Sequence, residues 1–96
     1  MENFKTVGEG YHKEGLDAVL DAINFFRESN SEISDEMLKF LSTSGKAKNF
    51  ELLFEEGTFY LTILKFNPGK YHLLGSKDEE SLSVLVDYFK QQEEGN

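Results

Sequence analysis

Two histidines, His12 and His72, are the only side chains in this sequence whose ordinary titration falls near neutral pH, and no cysteine accompanies them. Without cysteine there are no thiolate nucleophiles, no disulfides and none of the zinc or iron–sulfur centres that depend on Cys ligands. His12 lies in the glycine-flanked stretch GEGYHKEG, with Glu9 and Glu14 close by in sequence. These three residues could be pictured around a metal ion. The chain has no HxH, HExxH or DxDxDG pattern, however, and neighbouring loop residues rarely make a rigid site by themselves, so the expectation is no metal and no cofactor. The GEG at residues 8–10 lacks the Lys-Ser/Thr ending of a phosphate loop. Asp78, Glu79 and Glu80 form an acidic cluster, but their place at the start of a predicted helix is accounted for by the helix dipole. An acid–base pair would need one carboxyl buried and raised in pKa. The expectation is a protein that is not an enzyme.

The elements that position these residues can be read from periodicity. Leu16, Val19, Leu20, Ile23 and Phe26 recur at helical spacing from Glu14 onward, and ESNSE ends that helix. Ser34 is a suitable N-cap for a second helix carrying Met37, Leu38 and Leu41, which STSG then stops. A third helix begins at the capping-box pattern Ser76-x-x-Glu79 and presents Leu82, Leu85, Val86 and Phe89. Its end, QQEEGN, places Glu93 and Glu94 against the dipole and should fray. Residues 1–13, with NFKTV, read as a tail or an edge strand. The predicted fold is one small α+β domain over residues 1–96, in the order α-α-β-β-β-α, with a three-stranded antiparallel meander packed with helices.

The meander's first hairpin, FELLFEEGTFYLTILKF, carries apolar residues on both faces. A turn at Glu56-Gly57 pairs Phe54 with Phe59, Leu52 with Leu61 and Phe50 with Ile63, all on one face, which the last helix is expected to cover. A type II turn at Asn67-Pro68-Gly69 then pairs Phe66 with Tyr71 and Leu64 with Leu73. On that register a second face holds Leu53, Tyr60, Leu64, Phe66, Tyr71 and Leu73, interrupted by Glu51 and Thr62. Either the N-terminal helix pair covers this aromatic face, or a partner does.

The charge narrows the choice of partner. Residues 46–77 hold five lysines against three acids, a net +2, while the rest of the chain holds five basic residues against fifteen acidic ones, a net -10, so that the whole carries -8. Such a chain repels nucleic acid and anionic membrane and attracts a basic protein surface. No apolar run approaches the roughly 20 residues that span a bilayer, and the default location is cytoplasmic. The expected function is a non-catalytic, small acidic interaction protein of inhibitor, immunity, anti-defence or adaptor type. Its second sheet face would bind another protein or a second copy of the chain, and Asp17, Asp21 and Glu28 would steer a basic partner. The alternative is a single-stranded nucleic-acid platform in which Tyr60, Phe66 and Tyr71 stack bases beside Lys46, Lys48, Lys65 and Lys70. The acidic remainder argues against it.

Overall fold

The computed structural model describes residues 10–66 and 69–94. In chain order the elements are β1 (Tyr11–Glu14), α1 (Leu16–Ser29), α2 (Ser31–Leu41), β2 (Ala47–Phe54), β3 (Gly57–Phe66), β4 (Lys70–Ser76) and α3 (Glu79–Glu94). The strands form one antiparallel sheet in the order β1-β4-β3-β2. The α+β class expected from the sequence is found, but the sheet has four strands where three were expected. The extra strand, YHKE, buries only its first side chain and has no apolar alternation to announce it. The NFKTV segment and the Asn67-Pro68 turn lie outside the described residues.

Two registers differ from expectation. In the first hairpin Phe54 pairs with Gly57 and Leu52 with Phe59, so the turn residues are Glu55 and Glu56. This is a slip of two residues along the pair, and it leaves every side chain on its expected face because the side-chain period in a strand is two. In the second hairpin Phe66 pairs with Lys70 and Leu64 with His72, one residue earlier than expected. A slip of one turns the strand over. Tyr71 and Leu73 therefore join the face of Ile63, while His72 and Leu74 share the face of Leu64.

The helices also cover the opposite faces to those expected. α1 and α2 pack on the face of Phe50, Leu52, Phe59, Leu61, Ile63 and Leu73, supplying Val19, Ile23, Phe26, Met37 and Phe40. α3 packs on the other face, where Leu82, Leu85, Val86 and Phe89 meet Tyr60, Leu64, Phe66 and Leu74. Width explains the division. The first face is apolar across all four strands and needs two helices, whereas the second is apolar mainly on its two central strands and one helix suffices. Connectivity agrees, since the α1–α2 pair carries the chain from β1 at one edge to β2 at the other.

Local signals fix the helix ends. Gly15 stands before α1 at φ 106°, a backbone that side chains resist, and its N–H donates to the Tyr71 carbonyl at 2.7 Å. Asn30 alone separates α1 from α2, and its side chain accepts from the Ile33 amide, so the N-cap of α2 is Asn30 and not Ser34. Ser34 is buried inside the helix and donates to the Ile23 carbonyl at 2.8 Å, tying the two helices together. Gly75 permits close packing on the sheet, because a Cβ there would sit 2.8 Å from the Phe59 ring and 2.9 Å from that of Tyr11.

α3 is capped by Asp78, not by the expected Ser76–Glu79 box. The Asp78 carboxylate accepts from the Ser81 amide at 3.1 Å and from its hydroxyl at 2.8 Å, while Ser76 Oγ accepts from the Asp78 amide. The hydrogen bonds from Ser81 hold the Asp78 carboxyl below its ordinary value. A carboxyl depressed in the folded state contributes stability above its unfolded pKa of about 3.9, and that contribution is lost as pH falls through the folded value. An Asp78→Ala protein should therefore be less stable than the parent at pH 7, with the difference shrinking below about pH 4. Urea denaturation of both proteins across that range checks this, and a difference constant down to pH 2 would contradict the cap.

Candidate functional site

The second sheet face is only partly roofed. α3 lies over β3 and β4, which leaves the β2 side of that face open as a groove of about 550 Å³. Asn49, Glu51, Tyr60 and Thr62 form its floor, and Leu82 and Val86 form the α3 wall. Thr62 donates to Asn49 Oδ1 at 2.7 Å, which fixes the floor across the two strands. Leu53 continues the row of β2 side chains on this face and is 80% exposed, the most exposed of the large apolar residues among those described.

β2 is an edge strand, and among the described residues no strand pairs with its outer side. The Lys65 amide donates to the Lys46 carbonyl at 2.8 Å, so this pair is of the hydrogen-bonded kind. Such pairs alternate along an antiparallel ladder. The backbone groups of Lys48, Phe50 and Leu52 therefore point into the sheet, and those of Ala47, Asn49, Glu51 and Leu53 point outward. The same four residues direct their side chains to the groove face, so one row offers both a ladder edge and a pocket.

The expected binding residues do not form one patch. Leu64 is fully buried beneath α3, and Phe66 is half-buried against it. Leu73 is buried in the layer beneath α1 and α2, and Tyr71 packs against that layer from a half-buried position. Only Tyr60 and Leu53 of the six border or extend the open groove. Asp17, Asp21 and Glu28 are exposed on α1, in the layer on the far side of the sheet. The stacking platform imagined for single strands is divided in the same way, with Tyr71 on one face and Tyr60 and Phe66 on the other. Lys65 is engaged elsewhere: its Nζ donates to the carbonyls of Phe40 at 2.7 Å and Thr43 at 2.6 Å and lies 4.2 Å from the Phe40 ring centroid. It thereby closes the C-terminal end of α2.

A second constellation forms at the other end of the sheet. β4 is an interior strand because β1 pairs outside it, and the observed register sets His72 opposite Leu64, where a Phe66–Tyr71 pairing would have set it opposite Lys65. It is 1% exposed, opposite Glu14 on β1 and Leu64 on β3. His72 Nε2 lies 2.7 Å from Glu93 Oε2, and His72 Nδ1 lies 2.9 Å from His12 Nε2. The His12 ring stacks on Phe89 with centroids 4.0 Å apart. Burial, then the neighbouring His72, lowers the pKa of His12 below its ordinary value, against a smaller opposing effect of Glu14. Hydrogen bonding from His72, joined by Lys70 at 3.2 Å, holds the Glu93 carboxyl below its ordinary value. The α3 end expected to fray is thus helical through Glu94, with Glu93 fastened to β4.

Comparison with protein-family models, with curated proteins and with solved structures finds no match. The hydroxyls do structural work: those of Ser34, Ser42 and Thr43 donate to backbone carbonyls, and those of Thr62 and Ser81 to Asn49 and Asp78. No helix of the described residues is long and apolar enough to cross a membrane.

Proposed function

We propose that this chain is a non-catalytic protein-binding module that captures an extended segment of a partner along the outer edge of β2, with the segment's side chains entering the groove beside α3. The observation that carries this reading is the coincidence of outward-facing ladder groups and an open pocket on one row, Ala47, Asn49, Glu51 and Leu53. Strand addition gains affinity from main-chain hydrogen bonds, and pockets for alternate side chains give it selectivity. Leu53 supplies exposed apolar surface at one end of the row.

Charge selects the segment. Glu51 and Glu79 line the groove, and the chain as a whole carries -8, so the partner segment is apolar with interspersed Lys or Arg. The same charges disfavour a second copy as the occupant. Glu51 stands near the middle of the outward row, so two β2 edges pairing about a two-fold axis there set it against its own copy, a like-charge contact. Asp17, Asp21 and Glu28 lie in the opposite layer and act on an approaching basic partner through the long-range field, not by contact.

Selection from a library of extended peptides, followed by affinity measurement at two salt concentrations, tests the reading. Peptides of alternating apolar and basic residues are expected, with affinity that falls as salt rises and is lost in Leu53→Glu. Selected peptides that bind Leu53→Glu as well as the parent would overturn the assignment to this edge. Exclusive recovery of a dimer of the chain would assign the edge to self-association.

A further inference from the structure

We propose that His12, Glu14 and His72 form a binding site for a divalent transition-metal ion of the zinc class, with Glu93 as the carboxylate that orients His72. The sheet brings the three together from positions 60 residues apart in sequence. β1 and β4 pair antiparallel with Glu14 directly opposite His72, and His12 lies two residues along the same face of β1. The donor atoms converge. His12 Nε2 is 2.9 Å from His72 Nδ1, Glu14 Oε1 is 3.8 Å from that same nitrogen, and all three donors fall within 4.8 Å of one another. A tetrahedral zinc ion with bonds of about 2.0–2.2 Å separates its donors by roughly 3.3–3.6 Å, a value between the two observed separations.

Tautomer chemistry supplies the second argument. Glu93 is a carboxylate and can only accept, so the short contact at 2.7 Å requires His72 Nε2 to carry the proton. The His72 Nδ1 lone pair is then directed at His12 and Glu14. A carboxylate that fixes the far nitrogen of a ligating imidazole is the common outer partner in histidine metal sites. In the metal-free protein the proton on His12 Nε2 fills the space between the rings. A cation takes its place when His12 carries that proton on Nδ1, so the neutral ligands need no net proton loss. Two rings on paired strands, one of them buried and the other stacked on Phe89, give the rigidity that a loop cluster would lack. The Glu14 side chain is 59% exposed, which leaves an entry path and a fourth position for water. The set of two imidazoles and one carboxylate suits zinc and its neighbours over calcium or magnesium, which prefer oxygen donors.

Titration of the full chain with zinc chloride by calorimetry, and with cobalt(II) by visible absorption, tests the site. One equivalent of zinc is expected to bind, and cobalt is expected to give the intense visible bands of a low-symmetry, four- or five-coordinate ion. His12→Ala and Glu14→Gln should each weaken binding at least tenfold. Glu93→Gln, which removes no ligand, should weaken it about 10–100-fold. An Asp17→Asn/Asp21→Asn protein removes two surface charges of α1, which packs on the opposite face of the sheet, and should bind as the parent does. All four variants change residues other than the buried His72, and far-UV circular dichroism confirms that each is folded. No zinc binding up to about 0.1 mM, which corresponds to a binding free energy weaker than about 5.5 kcal/mol, would overturn the proposal. So would zinc binding that the Asp17/Asp21 change weakens as much as His12→Ala does, because that is adventitious attachment to an acidic surface.

Discussion

A Phe26→Ala protein is expected to lose about 3–5 kcal/mol of stability, while Phe25→Ala, one residue away, is expected to lose no more than about 1.5 kcal/mol. Phe26 is 1% exposed and stands in the layer between α1 and the sheet, among Val19, Ile23, Met37 and Leu61. Truncation removes the transfer free energy of a phenyl ring and leaves a cavity that helices fixed at both ends can fill only in part. Phe25 is 39% exposed and meets Phe26 edge-on with ring centroids 5.0 Å apart, so its removal costs that contact and only part of the burial that Phe26 loses. Against a total of roughly 5–15 kcal/mol for a domain of this length, the first change is severe and the second modest. Urea denaturation should show the Phe26→Ala midpoint falling by about 1–3 M. Equal effects from the two substitutions would contradict the placement of α1 on the broad apolar face.

The second large effect concerns binding. Glu51→Pro should abolish capture of a β2-directed peptide, a loss of at least about tenfold or 1.4 kcal/mol in affinity, while the protein stays folded. Proline removes one backbone donor and projects its ring from that side of the strand. At position 51 the lost N–H faces outward, so the ladder between β2 and β3 keeps all its bonds, and edge strands tolerate proline there. At position 50 the same change would remove an inward donor paired across to Leu61 and should destabilise the sheet. The contrast between the two positions separates loss of an edge from loss of a fold. Peptide binding retained in a folded Glu51→Pro protein would place the site elsewhere.

Much of this architecture is legible in the sequence, and the parts that are not fail for identifiable reasons. The period-two alternation of Phe50, Leu52, Phe59, Leu61 and Ile63 marks one face unambiguously, and it survives a turn misplaced by one residue in each arm because the net slip is even. β4 is different: KYHLLGS offers Tyr71 and Leu73 to one face and His72 and Leu74 to the other, so the loop length alone decides which pair faces which layer. A single residue there reverses the strand. The assignment of helices to faces is not legible for the same reason, since both sheet faces carry apolar stripes and either helix set could meet either one. β1 is too short and too polar to be read from periodicity. The histidine cluster depends on the pairing of that strand, so local motif spacing around His12 gives no sign of His72. The groove is legible in part: Tyr60 and Leu53 belong to the face that sequence alternation singles out, but the lateral position of α3, which leaves their side of the face open, is a tertiary result.

Amide hydrogen exchange along β2, followed residue by residue by NMR, tests the free edge most directly. Fast exchange is expected at Ala47, Asn49, Glu51 and Leu53 and slow exchange at Lys48, Phe50 and Leu52, with the fast set becoming protected when a basic, extended peptide is added. Protection of both sets in the peptide-free protein would mean that the edge is already paired, and would contradict its role as the docking strand.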